Sequence, residues 1–311
     1  MKNFSLIGAA GYIAPRHMKA IKETKNDLVA CYDINDSVGI IDSYFPEARF
    51  FTEFERFDRH IEKLKYENNM LIDYTSICSP NYLHDAHIRF ALRSGSNAIC
   101  EKPLVLNSWN IDKLLKAEEI SGKRIFTVLQ LREHDVIKNL KRKISESSKK
   151  SKINIDLTYI TSRGNWYYNS WKGDEKKSGG IATNIGVHFF DMLIWVFGKV
   201  QDVYVHSNEA DFASGFVSFE NAEVSWFLSI SPNYLPKHIQ DNQIKTFRSI
   251  TIDGEELEFS SGFTDLHTEV YKSILSSKGY GILDAYPSIE LVQKLRNAPI
   301  TKKGTPHFLN K

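Results

Sequence analysis

Phe4-Ser5-Leu6-Ile7-Gly8-Ala9-Ala10-Gly11-Tyr12-Ile13-Ala14 decides the fold. A short apolar run enters a glycine-bearing turn, and an amphipathic stretch, Pro15–Lys25, follows directly. This is the opening of a βα unit, whose turn and helix start leave backbone N–H groups that can hold a pyrophosphate. The fingerprint is partial. Gly8 fits the tight-turn position and Gly11 follows, but Ala10 and Ile13 stand where a dinucleotide motif carries glycine.

The same alternation runs outward from this turn. Strands are expected at Leu28–Tyr32, Leu71–Ile77, Asn97–Cys100 and Ile125–Leu129, and helices at Phe54–Lys65, His84–Ser94 and Trp109–Ser121. Residues 1–131 therefore read as an α/β Rossmann domain with a parallel sheet. After a helix at Val136–Ser148 the strands lengthen: Ile153–Thr161, Val200–Ser207, Phe212–Phe219, Ala222–Ser231 and Thr246–Ile252. Asn221 and Asp253-Gly254 supply hairpin turns, and helices at Thr264–Ser277 and Asp284–Asn297 follow. Residues 132–311 read as an α+β domain with a large, mostly antiparallel, open-faced sheet. One of its strands is apolar on both sides, with Val224, Trp226, Leu228 and Ile230 facing one way and Phe227 the other, so neither side suits water.

The chain has 311 residues, 42% hydrophobic and 25% charged, with a net charge of +2, enough for two cores on a mixed-charge surface. The densest basic run, Lys138–Lys152, is interrupted by Glu146 and serines and reads as a solvated helix surface. Neither a membrane-length apolar stretch nor a secretory pattern is apparent, so the expectation is a cytoplasmic protein without nucleic-acid or membrane partners. Cys31, Cys78 and Cys100 lie in strand-like runs without metal-ligand spacing. Buried free thiols and no metal are expected.

Asp33 ends the second strand, 22 residues beyond Gly11, where a carboxylate can accept both ribose hydroxyls of an adenosine. Ile34-Asn35-Asp36 offers no cation for a 2′-phosphate, which favours NAD over NADP; the alternative for Asp33 is a helix cap. Ser79-Pro80-Asn81 reaches the carboxyl edge of the sheet, where Asn81 can meet the nicotinamide ribose. His84 is either a second such contact or an ordinary helix-start residue, and His87 reads as structural surface. Glu101-Lys102-Pro103 ends the next strand. Gly179–Asp191 reads as a loosened turn running into one helix, with Asn184, His188 and Asp191 on one side and Ile185, Phe189, Met192 and Val196 on another. Arg163 and Lys172 flank the cluster Trp166, Tyr167, Tyr168 and Trp171, suited to gripping a carboxylate or diphosphate and packing on a ring. Ser178 and Gly179 can bond a sugar through hydroxyl and N–H, and His267 is a weaker candidate.

Taken together, Gly8–Ala14, Asp33, Ser79-Pro80-Asn81, Glu101-Lys102-Pro103 and the Gly179–Asp191 segment resemble the Gfo/Idh/MocA oxidoreductase family over essentially the whole chain. Within it the chain looks most like the subfamily that oxidises the C3 hydroxyl of UDP-N-acetyl-glucosaminuronic acid in bacterial surface-polysaccharide synthesis. Residues 8–17, 163–174, 177–180, 266–271 and 281–285 carry that closer likeness. The resemblance implies NAD on Gly8, Ala10, Gly11, Tyr12, Ile13, Asp33, Ser79, Pro80, Asn81, His84, Glu101 and Lys102. It implies Lys102 and His188 as a catalytic pair, with the order of proton transfer left open. The substrate would meet Lys102, Arg163, Tyr168, Trp171, Lys172, Ser178, Gly179, Asn184, His188 and Asp191. Glu101 would bond the nicotinamide ribose, and Asp191 would orient the imidazole or bind sugar hydroxyls. Asn184 stands where many family members carry aspartate, which sets aside a carboxylate relay there. The family also implies a homotetramer or dimer built through the second sheet. The competing readings are a dehydrogenase of another sugar, inositol or polyol, and a non-catalytic NAD-binding assembly protein.

Overall fold

The computed structural model describes residues 1–147, 151–257 and 265–310. The chain divides into two compact units, Met1–Gln130 with Thr264–Tyr286, and Leu131–Phe263 with Pro287–Lys311.

In the first unit, β1 (Asn3–Ile7), β2 (Asp27–Tyr32), β3 (Arg49–Phe51), β4 (Tyr74–Ile77), β5 (Asn97–Cys100) and β6 (Ile125–Thr127) form a parallel sheet. Its order is β3-β2-β1-β4-β5-β6, so the strand order reverses beside β1. Helices α1 (Ala14–Glu23), α2 (Phe54–Tyr66), α3 (His84–Ser94) and α4 (Asn110–Ser121) provide the crossovers. β1 is buried on both faces: Phe4 and Leu6 join Met18 and Ile21 of α1, Ile7 joins Phe57, Ile61 and Phe90, and the buried Ser5 is bonded to Thr75 at 2.9 Å. In register, Ile7 lies opposite both Tyr32 and Ile77, and Ile77 opposite Cys100. The residues that follow these strands, Gly8, Asp33, Cys78 and Glu101, consequently leave the sheet along one edge, where such folds bind their ligands.

A linear division at residue 131 does not describe this unit. Val270, Tyr271 and Ile274 of the helix Leu266–Leu275 are fully buried in the cluster of Phe4, Met18 and Ile21. An apolar helix face goes where it finds a matching core, irrespective of chain order.

The second unit contains α5 (Asp135–Glu146), β7 (Ile153–Thr161), the short α6 (Trp166–Asn169), α7 (Glu175–Ser178) and α8 (Gly180–Asn184), and then α9 (Val187–Phe197). The strands β8 (Val200–Asn208), β9 (Phe212–Phe219) and β10 (Ala222–Ser229), the short α10 (Lys237–Asp241), β11 (Thr246–Ile252) and β12 (Glu255–Glu256) follow. The sheet order is β12-β11-β7-β10-β9-β8, antiparallel throughout except for the β7–β10 pair. The hairpin at Asp253-Gly254 places both residues at positive φ, which a two-residue turn of this hand requires. Helices α11 (Leu266–Leu275) and α12 (Ile282–Asn297) complete the elements, and α12 carries Pro287.

The central strands of the second sheet carry contacts on both faces, while β11, β12 and β8 stay partly open. On one, Trp226 meets Phe190 edge-on at 5.5 Å between ring centroids. On the other, the segment 301–310 lies across the strands. His307 stacks on Phe227 and bonds Thr158 at 2.9 Å, Thr305 O accepts from Ser225, and Asn310 Oδ1 accepts from Ser207 and Ser214. Gly304, at φ +79, rests on the Phe216 ring so closely that an added Cβ would sit 2.7 Å from it.

Among the described residues no single helix is long and apolar enough to cross a membrane. The bent pair Glu175–Asn184 and Val187–Phe197 meets that test by length and composition, but Phe189, Phe190, Met192 and Leu193 are core residues.

Candidate active site

Gly8 adopts φ +91, and a Cβ there would lie 2.6 Å from the carbonyl carbon of Cys78, so only glycine fits where the turn passes β4. The N–H groups of Gly8 and Ala9 donate to Tyr32 O, while Gly11 N–H donates to Gly8 O. α1 begins with no side-chain cap: Ala14 N–H donates to Gly11 O, Arg16 N–H to Ile13 O, and Pro15 between them has no N–H. Asp33 accepts from Ala10 N–H at 3.0 Å through one carboxylate oxygen and from Asn35 N–H at 2.9 Å through the other, which fixes the carboxylate beside the turn. Tyr12 and Ile34 are exposed on either side. A tight glycine turn and an anchored carboxylate at the edge of the sheet fit a dinucleotide despite the missing glycines.

Ser79 and Asn81 are buried at the next strand end. His84 is fully buried, with Nδ1 2.7 Å from Pro103 O and Nε2 2.9 Å from Ser79 O, tying two edge loops together rather than facing outward. A neutral imidazole donates from one nitrogen only. Burial nevertheless pushes the His84 pKa down, against the two carbonyls that favour the charged ring. His87, expected on the surface, is buried, stacks on Phe54 and bonds the Ser79 hydroxyl at 2.8 Å. α3 turns this residue inward together with Ile88 and Ala91.

Glu101 departs most from expectation. Its Oε1 is met by His17 Nε2 at 2.9 Å and by His267 Nε2 at 3.0 Å, and Oε2 accepts from Lys102 N–H at 3.2 Å. His17 Nδ1 lies 2.7 Å from the Tyr271 hydroxyl, which lies 2.6 Å from Ser76 Oγ. All five side chains are buried. Burial pushes the Glu101 carboxyl up, but the hydrogen bonds and charge of the two histidines outweigh it and hold the carboxyl well below the usual carboxylate range. The carboxylate assigned from sequence to a ribose thus already accepts three hydrogen bonds from within the protein. The ligand-type atoms of His17, Glu101 and His267 lie within 4.8 Å of one another, but each is spent on a hydrogen bond inside the cluster. Lys102, half-buried beside it, has its amine pKa lowered by burial, raised by Glu101 and lowered by Arg16, with a net fall. His17 lies in the stretch 8–17 and carries no task in the sequence reading. Its signal was a polar residue on the stripe Ala14, His17, Met18 and Ile21, a face otherwise apolar.

In the second unit the Gly179–Asp191 segment is not one helix. α8 ends at Asn184 and α9 starts at Val187, and the stretch Glu175–Asn184 is bent by 46° from α9. Gly186 sits at the break, where a Cβ would be 2.5 Å from Leu228 Cδ1 and 2.6 Å from Ala182 O. Ile185, Phe189, Met192 and Val196 are buried as expected. Asn184 and His188 are half-buried. Asn184 donates to the Tyr167 hydroxyl at 2.7 Å, and His188 is flanked by Phe189 and, edge-on, by Tyr159 at 5.8 Å. Asp191 is buried and gripped at both oxygens by Arg132, Nε to Oδ2 at 2.9 Å and Nη2 to Oδ1 at 2.7 Å. The carboxylate offered to an imidazole or a sugar is thus half of a forked ion pair, and the reading missed Arg132, 59 residues away in sequence.

Arg163, Trp166 and Tyr168 are exposed. Lys172 Nζ lies 4.8 Å from the Trp171 ring and 5.5 Å from the Trp166 ring, so the expected cluster does assemble around a cation. Ser178 is fully buried, and its Oγ accepts from Gly180 N–H. Gly179, at φ +84, joins α7 to α8.

Residues 2–129 match the family model of oxidoreductases with an NAD-binding Rossmann fold, and residues 151–238 match that family's C-terminal alpha/beta domain. The chain belongs to the Gfo/Idh/MocA oxidoreductase family. The WlbA (WbpB) dehydrogenase from Thermus thermophilus, solved with NAD and alpha-ketoglutarate, is a Gfo/Idh/MocA-like neighbour at 48% identity, with 99% of each chain covered and a TM-score of 0.94. The same enzyme with NAD and UDP-GlcNAcA also covers 99% of each chain at 48% identity, with a TM-score of 0.93. Among curated proteins, the glucose-6-phosphate 3-dehydrogenase of Bacillus subtilis (strain 168) is 28% identical over 63% of this chain and 54% of its own length. The chain spans about half the length of such curated relatives, 52% for the putative oxidoreductase YteT of the same organism. This Gfo/Idh/MocA member is therefore an oxidoreductase with an NAD-binding first domain, as its sequence led one to expect.

Proposed function

We propose that this chain oxidises the C3 hydroxyl of UDP-N-acetyl-glucosaminuronic acid with NAD, in the cytoplasm and in the service of surface-polysaccharide synthesis. The observation that carries the reading is 48% identity across 99% of the chain to the T. thermophilus dehydrogenase bound to NAD and UDP-GlcNAcA. The bound nicotinamide would supply the hydride acceptor, taking the hydrogen from the carbinol carbon. Lys102 and His188 would handle the hydroxyl proton: an O–H bond breaks as an N–H bond forms on one of them. Lys102 suits the task because burial lowers its pKa, so more of it is a free amine near neutral pH. Arg163 and Lys172, on the loop carrying Trp166, Tyr168 and Trp171, supply positive charge for the carboxylate or diphosphate. Ser178, Gly179 and Asn184 would bond sugar oxygens.

NADH formation on mixing with UDP-GlcNAcA tests this directly. Turnover confined to inositol, glucose 6-phosphate or uncharged polyols would overturn it. The alpha-ketoglutarate complex of the T. thermophilus enzyme supports a second proposed step, reoxidation of NADH by a 2-oxo acid. We further propose a homo-oligomer built through the second sheet, to be checked by light scattering.

A further inference from the structure

We propose that Glu101 is a fixed counter-charge that sets the protonation state of Lys102, with His17 and His267 as positioning residues that keep the carboxylate ionised and still. This rests on the proposed role of Lys102 as proton acceptor. The geometry makes Glu101 unsuited to act as a base. Two ring N–H groups converge on Oε1 and the peptide N–H of Lys102 bonds Oε2, so the carboxylate is turned back onto the residue that follows it. An ionised carboxylate only accepts, so both Nε2 atoms donate to it, and the contacts of His17 Nδ1 with the Tyr271 hydroxyl and of that hydroxyl with Ser76 hold the His17 ring in place behind it.

Burying a charge this deeply is costly, and packing alone would be served as well by an amide or an apolar side chain. What the carboxylate adds is a field at Lys102. Within the first unit the titratable or charged groups around this pair are Arg16 and His17 on α1, Cys78 after β4, His84 on α3, Cys100 on β5, and His267 and Tyr271 on α11. Burial and Arg16 favour the free amine of Lys102, while Glu101 favours the ammonium. A lysine that begins as amine and finishes as ammonium needs both influences. Glu101 stabilises the state that exists once the proton has arrived.

The test reads Lys102 itself in the cofactor-free protein, by peptide mass spectrometry of amine labelling as a function of pH. In E101Q the labelling midpoint should fall by about one pH unit, the size an opposite charge at close range commands. E101D, which keeps the charge, should restore it toward the unmodified value. R16Q, at an exposed position, should move the midpoint the other way by about a few tenths of a pH unit at low salt and less at high salt. The rising limb of kcat/KM against pH should follow the labelling midpoint in each variant. An unchanged midpoint in E101Q overturns the proposal; should E101Q fail to fold, an unchanged midpoint in H17F/H267F, which removes both ring donors to the carboxylate, does so instead. Shifted labelling with full turnover in K102A would leave the counter-charge standing and sink the catalytic reading of Lys102.

Discussion

Replacing Arg132 with methionine should cost the second unit several kcal/mol and should identify Asp191 as an architectural residue. The side chains are 6% and 3% exposed and joined by two charge-assisted bonds at 2.7 and 2.9 Å. Two hydrogen bonds to charged partners at about 1.5–3 kcal/mol each bracket the loss at about 3–6 kcal/mol. That agrees with the ~3–5 kcal/mol typical of orphaning one member of a buried pair. Against a total of about 5–15 kcal/mol, this is enough to lower the urea midpoint sharply. D191N keeps one acceptor oxygen and should lose about half as much. The double variant R132M/D191L removes both charges and should recover to within about 1 kcal/mol of the parent, because neither ion is left stranded. Urea unfolding by tryptophan fluorescence, with NADH formation measured per folded molecule, provides the assay. If R132M cost under about 1 kcal/mol, or D191N kept its midpoint while losing turnover by orders of magnitude, the reasoning would fail and Asp191 would return to the chemistry.

G8A should weaken NAD binding at least tenfold and lower stability by about 1–3 kcal/mol, since its Cβ meets the Cys78 backbone at a positive φ; calorimetric titration and thermal melting check both. D33S combined with I34R should reduce the NAD-over-NADP ratio of kcat/KM about tenfold or more, by removing the carboxylate that repels a 2′-phosphate and adding a cation. His87 and His307 should make the protein acid-labile. Burial pushes each pKa from 6.5 down to about 4, so the unfolded chain binds protons that the native state refuses. Their stabilisation is fully present above pH 6.5 and drains away as pH falls toward about 4, by up to about 3 kcal/mol per residue. H307Q should flatten that slope in urea titrations between those limits; an unchanged slope counts against it.

The parallel sheet and its helices were legible because burial on both faces writes short, mainly apolar runs such as Phe4–Ile7, and crossover helices write a different period. β3 was not, since three residues carry no period. The break at Gly186 was hidden because Ile185 and Phe189 keep helical spacing across it, and only the closeness of Leu228 reveals why the chain bends there. Free buried thiols at Cys31, Cys78 and Cys100 were foreseen from their strand positions. The partners of Glu101 and Asp191 were out of reach for a more general reason. A buried charge advertises that it needs a partner, but spacing along a chain says nothing about which distant residue will supply one.

The attachment of α11 to the first unit has a consequence in time. Glu101 and His267 are separated by 166 residues, and His17 and Tyr271 by 254. At ribosomal rates of about 5–20 residues per second, Glu101 waits roughly ten to thirty seconds for its second imidazole. Until then the sheet of the first unit has one side of its apolar cluster unfilled and a carboxylate half-satisfied. The first unit therefore finishes folding after most of the second has been made, through contacts of very long range, which are slow to form. A fragment cut at Gln130, however natural a domain it looks, should behave as an intermediate of this pathway, open to solvent along α1 and prone to associate.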